Sequence, residues 1–191
     1  LGISRLCARS SPHAAKNEFA VDRRRHTAEE IASPGPGNRY VGYPYTKLMN
    51  SNQFVDQAAA ILICSAGLAA DLGISRWVFP LAGVTAHAPF VSERWSLHDS
   101  PALTVASHQL ERMIGRRMRD VELVDLYACF PFAVQAQANA LGLDPATELT
   151  LTGGMRFAGG PWNNYGTHMI ANLVMRLRAE PESVAVCSTN G

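Results

Sequence analysis

From Asp56 onward the apolar residues fall into short runs and helical stripes that alternate, whereas the first 52 residues show no sustained period. Residues 58–64 form a continuous apolar run of strand length and predict a buried strand. Residues 65–72 set Leu68, Ala69 and Leu72 on one helical face, with Gly73 as the stop. Residues 77–84 predict a second strand, which Pro80 places at an edge or a bulge. Ser100 and Pro101 read as cap and first position of a helix striped by Leu103, Ala106, Leu110, Met113 and Ile114. Residues 121–126 are the next strand. Residues 130–141 are a helix with Phe130, Val134, Ala138 and Leu141 aligned, ended by Gly142. The last helix, 164–178, runs through Ile170, Val174 and Leu177, and 184–186 is a final short strand. Strands alternating with helices of these lengths predict an α/β layer structure.

The opening 52 residues read as polar and irregular. The Ser33-Pro34-Gly35-Pro36-Gly37 run and the Gly42-Tyr43-Pro44 step break any long helix. One short helix is expected there, with Thr27 as N-cap and Glu30 as its capping-box partner.

Composition narrows the function classes. With 17 basic and 16 acidic residues the formal charge is +1, without the cationic excess that general nucleic-acid binding needs. The densest basic run, Arg23-Arg24-Arg25-His26, is flanked by Asp22 and Glu29-Glu30; it fits a solvated loop or a phosphate-binding patch. Cys7, Cys64, Cys129 and Cys187 are far apart, with no CxxC and no metal-ligand spacing. A reducing cytoplasm is the default expectation. The longest apolar run, 58–70, is far short of the ~20 residues that span a bilayer. The chain opens at Leu1 rather than a methionine and stops at Cys-Ser-Thr-Asn-Gly, and both ends read as cut.

No nucleophile elbow, P-loop, dinucleotide fingerprint or zincin motif is present. Two loops at strand ends remain. One is Asp125-Leu126-Tyr127-Ala128-Cys129-Phe130. The other runs from Thr152-Gly153-Gly154 through Ala158-Gly159-Gly160-Pro161 to Trp162-Asn163-Asn164-Tyr165-Gly166-Thr167-His168, where a helix opens. A glycine turn before a helix either aims free N–H groups at an anionic ligand or is simply a close-packed turn. Cys187, where the last strand ends, is either an inert buried thiol or a site residue, since active sites gather at strand ends of α/β sheets.

The order strand, YACF, helix, TGG…GGP, helix, strand, CSTNG resembles the carboxy-terminal half of the thiolase superfamily, nearest the sterol-carrier-protein-x and thiolase-like branch. Tyr43-Pro44-Tyr45-Thr46-Lys47-Leu48-Met49 followed by Asp56-Gln57-Ala58-Ala59-Ala60 looks like that family's passage from loop domain into second core domain. The resemblance implies an α/β fold with a mixed β-sheet layered with helices. It assigns residues 1–52 to a loop-domain remnant and 53–191 to the carboxy-terminal core domain, with a final strand missing.

By position, Cys187 then corresponds to the family's acid/base cysteine, and an unperturbed thiol near about 8.5 that the site can lower suits proton transfer at an α-carbon. Tyr127 stands where the family has an Asn or His oxyanion residue, with Phe130 as the matching Phe. Gly153, Gly154, Gly159, Gly160, Asn163 and Asn164 become substrate-binding candidates. Gly160 takes the place of the family's GHP histidine, for which His168 is the substitute candidate or else a packed or capping residue.

The implied function is a thiolase-like acyl-CoA acyltransferase, acetyl-CoA acetyltransferase-like, cleaving or forming C–C bonds in lipid or sterol metabolism. The acyl-accepting cysteine of such enzymes belongs to the amino-terminal half, so this chain alone is expected to be inactive. Two alternatives stand beside it. One is a thiolase-like retro-aldolase acting on a steroid side-chain CoA thioester with an OB-fold partner, for which Tyr127 and Tyr165 are the acid/base candidates. The other is a non-catalytic subunit that binds CoA ligands. The expected substrate is a coenzyme A thioester, with no bound cofactor and no metal. A homodimer or tetramer is expected, without nucleic acid or a membrane span. Alone, the chain should expose a broad apolar face.

Overall fold

Residues 3–16, with Ser10-Ser11-Pro12 near their centre, fold as a 14-residue helix, α1 (Ile3–Lys16), where irregular chain was expected. Pro12 removes the N–H that would bond the Ala8 carbonyl. The Ser11 hydroxyl donates to that carbonyl instead, at 2.9 Å, so the turn survives. In the computed structural model, which describes residues 2–190, the elements that follow are α2 (Ala28–Ala32), β1 (Tyr40–Gly42), β2 (Tyr45–Thr46), α3 (Ala66–Asp71), α4 (Pro101–Ile114), β3 (Leu123–Asp125), α5 (Pro131–Leu141), the single turn α6 (Gly154–Phe157), α7 (Tyr165–Ala179) and β4 (Ala185–Cys187).

Punctuation is where sequence and structure agree best. Thr27 Oγ1 accepts from the Glu30 N–H at 3.1 Å while the Glu30 carboxylate accepts from the Thr27 N–H at 2.7 Å, the capping box expected at α2. Ser65 caps α3 through its hydroxyl, Pro101 and Pro131 open α4 and α5, and Gly115 and Gly142 close them in the left-handed conformation.

The strands are fewer than expected. Residues 58–64 and 77–84 run without ladder pairing. A strand needs a partner for its N–H and C=O groups, and the described residues offer these two none. Instead, a side-chain amide holds Ala59 from both sides: its N–H donates to Asn164 Oδ1 at 2.8 Å, and Asn164 Nδ2 donates to its carbonyl at 3.2 Å. Leu62, Ile63, Phe79 and Leu81 are exposed as a result. The strands that do form are the antiparallel hairpin β1–β2 and the parallel pair β3–β4.

Apolar packing gathers in three places. The largest cluster joins Leu6 of α1 to Val124 and Leu126 at the end of β3, Val134, Ala138 and Leu141 of α5, and Leu149. A second joins Ala14 to Ile31, Leu48, Met49 and Phe157. The third, Met155, Tyr165 and Met169, lies at the strand ends. On α7 the buried stripe is Tyr165, Met169 and Leu173 rather than Ile170, Val174 and Leu177. Ile170 is exposed. The two stripes have the same period and differ by one position, which periodicity alone cannot separate. No helix of the described residues is long and apolar enough to cross a membrane.

Candidate active site

β3 and β4 pair in parallel with Leu123 opposite Ala185, Val124 opposite Val186 and Asp125 opposite Cys187. Both strands therefore end at the same level, and the chain leaves each as a loop on the same side. Gln137 of α5 joins those loops: its Nε2 donates to the Tyr127 carbonyl at 2.7 Å, and its Oε1 accepts from the Ser188 hydroxyl. The Ser188 oxygen in turn accepts from the Tyr127 N–H at 3.4 Å.

Asp125 is fully buried and receives three hydrogen bonds. Thr150 Oγ1 donates to Oδ1 at 2.8 Å, and Thr152 donates to Oδ2 through its hydroxyl at 2.6 Å and its N–H at 3.0 Å. Thr152 Oγ1 also accepts from Asn172 of α7 at 3.2 Å, and Thr150 Oγ1 accepts from the Gly153 N–H at 3.0 Å. One carboxylate thus ties the end of β3 to the glycine turn and to α7. Burial pushes its pKa up to about 6 against the pull of these donors.

Tyr127, Cys129 and Cys187 pack against the Met155–Tyr165–Met169 cluster. The rings of Tyr127 and Tyr165 meet edge to face with centroids 6.0 Å apart. Tyr165 is 1% exposed, and its hydroxyl has no hydrogen-bond partner among the described residues. Burial first, then the Asp125 charge, raises its pKa well above the usual phenol value. The Cys187 thiol is pushed up to about 11, mainly by burial and further by Asp125. The site raises this thiol where a lowering was anticipated, so at neutral pH Cys187 is a proton donor rather than a thiolate. Burial likewise raises Tyr127 and Cys129.

The glycine loop is packed from outside. Gly153 sits at φ +108°, and a Cβ there would lie 2.5 Å from the backbone nitrogen of Ala14 in α1. Gly159, at φ +110°, would drive a Cβ into Gln57, whose Nε2 bonds the carbonyls of Phe19 and Ala158. The Gly160 N–H donates to the Asn52 carbonyl at 2.8 Å. Gly154 is buried at the start of α6.

His168, three residues after Tyr165 on α7, is half-buried with an Nε2 that has no partner among the described residues, and burial lowers its pKa. Asn163 is exposed and Asn164 is occupied by Ala59. Phe130 is exposed and lies edge-on to Tyr45, with ring centroids 6.2 Å apart. Cys187, Tyr127 and Tyr165 are brought together. Sequence reasoning passed over Asp125, Cys129, Gln137 and Ser188 as site residues; the one available signal was a carboxylate inside the otherwise apolar run Leu123–Leu126. The basic run is divided: Arg24 forms a two-point pair with Asp22, while Arg23 and Arg25 are exposed. Burial opposes the Asp22 anion, yet hydrogen bonds from Arg24 and His26 hold its pKa down to about 2.

No protein-family model matches the chain. The benzoylsuccinyl-CoA thiolase subunit BbsB of Thauera aromatica is 24% identical over 193 residues, covering 92% of this chain and 49% of that protein. Among solved structures, the crystal structure of a monomeric SCP2-thiolase like protein type 1 from Mycobacterium smegmatis superposes with a TM-score of 0.87. It is 32% identical and covers 99% of this chain and 42% of that one. The Ltp2-ChsH2(DUF35) aldolase superposes with a TM-score of 0.77 at 18% identity, over 98% of this chain and 55% of that one. The chain therefore spans about half the length of the proteins it matches.

Proposed function

We propose that this chain, whose fold is thiolase-like, supplies the proton-transfer half of an acyl-CoA-processing active site, with Cys187 as the acid/base group. The carrying observation is the convergence of Cys187, Tyr127 and Tyr165 on one buried cluster at the paired ends of β3 and β4. In thiolytic cleavage of a 3-oxoacyl-CoA, the C–C bond breaks and its electron pair passes to the α-carbon of the departing acetyl thioester. The Cys187 S–H, protonated at neutral pH, delivers the proton that this carbon needs. In the reverse direction the same sulfur removes it. The acyl-accepting nucleophile of this reading lies in the remainder of the protein, and a coenzyme A thioester is the substrate.

A second reading is favoured by one observation, the buried Tyr165 hydroxyl without a partner among the described residues, its ring 6.0 Å from that of Tyr127. A buried hydroxyl is ordinarily satisfied, and a substrate oxygen would satisfy this one. In a retro-aldol cleavage of a 3-hydroxyacyl-CoA thioester the two tyrosines would take and return the proton, in an assembly with a partner domain.

The two readings separate in the complete protein through Cys187→Ser, Tyr127→Phe and Tyr165→Phe. The first reading expects Cys187→Ser to lower thiolysis by about 10²–10⁴-fold while each tyrosine variant retains most of it. Loss confined to aldol cleavage in the tyrosine variants, with Cys187→Ser fully active, would establish the second reading and remove the first.

A further inference from the structure

We propose that Asp125 is the positioning residue of this site. Its buried carboxylate ties the 150–153 turn to the end of β3 and, in register beside Cys187, supplies a negative charge that adds to burial in keeping that thiol protonated. The inference rests on the proton-transfer role given to Cys187 above and adds what sets the state of that thiol.

Parallel partners in register point to the same face of a sheet, and neighbouring strands lie about 4.8 Å apart. Asp125 and Cys187 are such partners. The titratable groups gathered at this point are Tyr127 and Cys129 from the loop after β3, Tyr165 from α7, and Cys187 from β4. None of these groups can carry a positive charge. The Asp125 anion is thus the charge to which the Cys187 thiol and the Tyr165 phenol respond, and the repulsion between it and a thiolate disfavours losing the thiol proton.

The clamp by itself does not require a charge. Two of the three donors on Asp125 are hydroxyls, which can rotate to accept. An asparagine could keep its Oδ1 toward Thr152 and donate from Nδ2 to Thr150, holding the turn with no anion present. A merely structural carboxylate would therefore leave the titration of Cys187 unchanged when replaced by its amide, whereas the proposed role would not.

The test is Asp125→Asn in the complete protein, read as the pH dependence of Cys187 alkylation by iodoacetamide and followed by peptide mass. The expected result is a midpoint about one pH unit lower than in the parent, or roughly tenfold faster labelling at a fixed pH below it. An unmoved or raised midpoint overturns the proposal. Should Asp125→Asn fail to fold, the parent alone decides: interaction between two titrating groups is reciprocal. With ¹³C-labelled aspartate, the Asp125 carboxyl resonance must show an inflection at the pH where Cys187 labelling turns on, and its absence overturns the proposal equally. Neither readout needs turnover, so failure here and failure of the proposed reaction are separately visible.

Discussion

Residues 53–99 and residues 121–169 are both rich in apolar side chains, yet the second stretch buries many of them and the first little beyond Ala69. Around Asp125 every loop is answered by another element: Gln137 holds the Tyr127 loop, Thr150 and Thr152 hold Asp125, and α1 closes over Gly153. In the other stretch Phe54, Leu62, Ile63, Phe90 and Trp95 are all 80% exposed or more. Past Ala59 its apolar side chains have little to cover them. Apolar content is the same kind of signal in both. What differs is whether partners for the backbone and the side chains lie within these residues, and a candidate site can be built only where they do.

The contrast is broken most violently at glycine. Gly153→Ala would force a Cβ to 2.5 Å from the Ala14 backbone at φ +108°, so a loss of about 4 kcal/mol or more is expected. Gly83→Ala, with open space around it, should change stability by about 0.5 kcal/mol at most. Urea unfolding of the two variants measures both. Next in size, Leu126→Ala should cost about 3 kcal/mol because Leu126 is fully buried in the largest cluster. Leu62→Ala, 97% exposed, should cost almost nothing; equal losses at the two sites would show that the exposed stretch is packed in solution.

Asp125 gives a pH signature of comparable size. Its pKa is raised to about 6 in the folded chain, so the folded state holds the proton more tightly than the unfolded one. Its contribution to stability is full below about pH 4 and is lost as pH rises through 6. The stability of the parent relative to Asp125→Asn should therefore fall between about pH 4 and pH 6, by on the order of a few kcal/mol, and stay level above. A flat difference across that window would mean that the carboxylate is hydrated. The smallest effect belongs to the α2 cap: Thr27→Ala should cost about 1 kcal/mol, visible as a shift in the thermal midpoint.

Chemistry that is local in sequence was legible in sequence. The Thr27–Glu30 capping box, the Pro101 helix start and the Gly142 stop all depend on residues within a few positions of one another, and each was read correctly. The thiolase-like fold was legible too, through the order of several short motifs rather than any one of them. Helix α1 was missed because the Ser11 hydroxyl repairs the gap that Pro12 makes, a contact no propensity reports. Residues 58–64 were misread because an apolar run becomes a strand only when another strand accepts it. The same limit hid Asp125: its role comes from Thr150 and Thr152, 25 and 27 residues away.

The central claim is that Cys187 moves a proton at the α-carbon of a thioester. Exchange of deuterium from solvent into the α-position of an acyl-CoA, compared between the complete protein and its Cys187→Ser variant, tests this most directly. The account predicts exchange in the parent and its loss by at least about 10²-fold in the variant. Exchange at the parental rate without the Cys187 sulfur would contradict it.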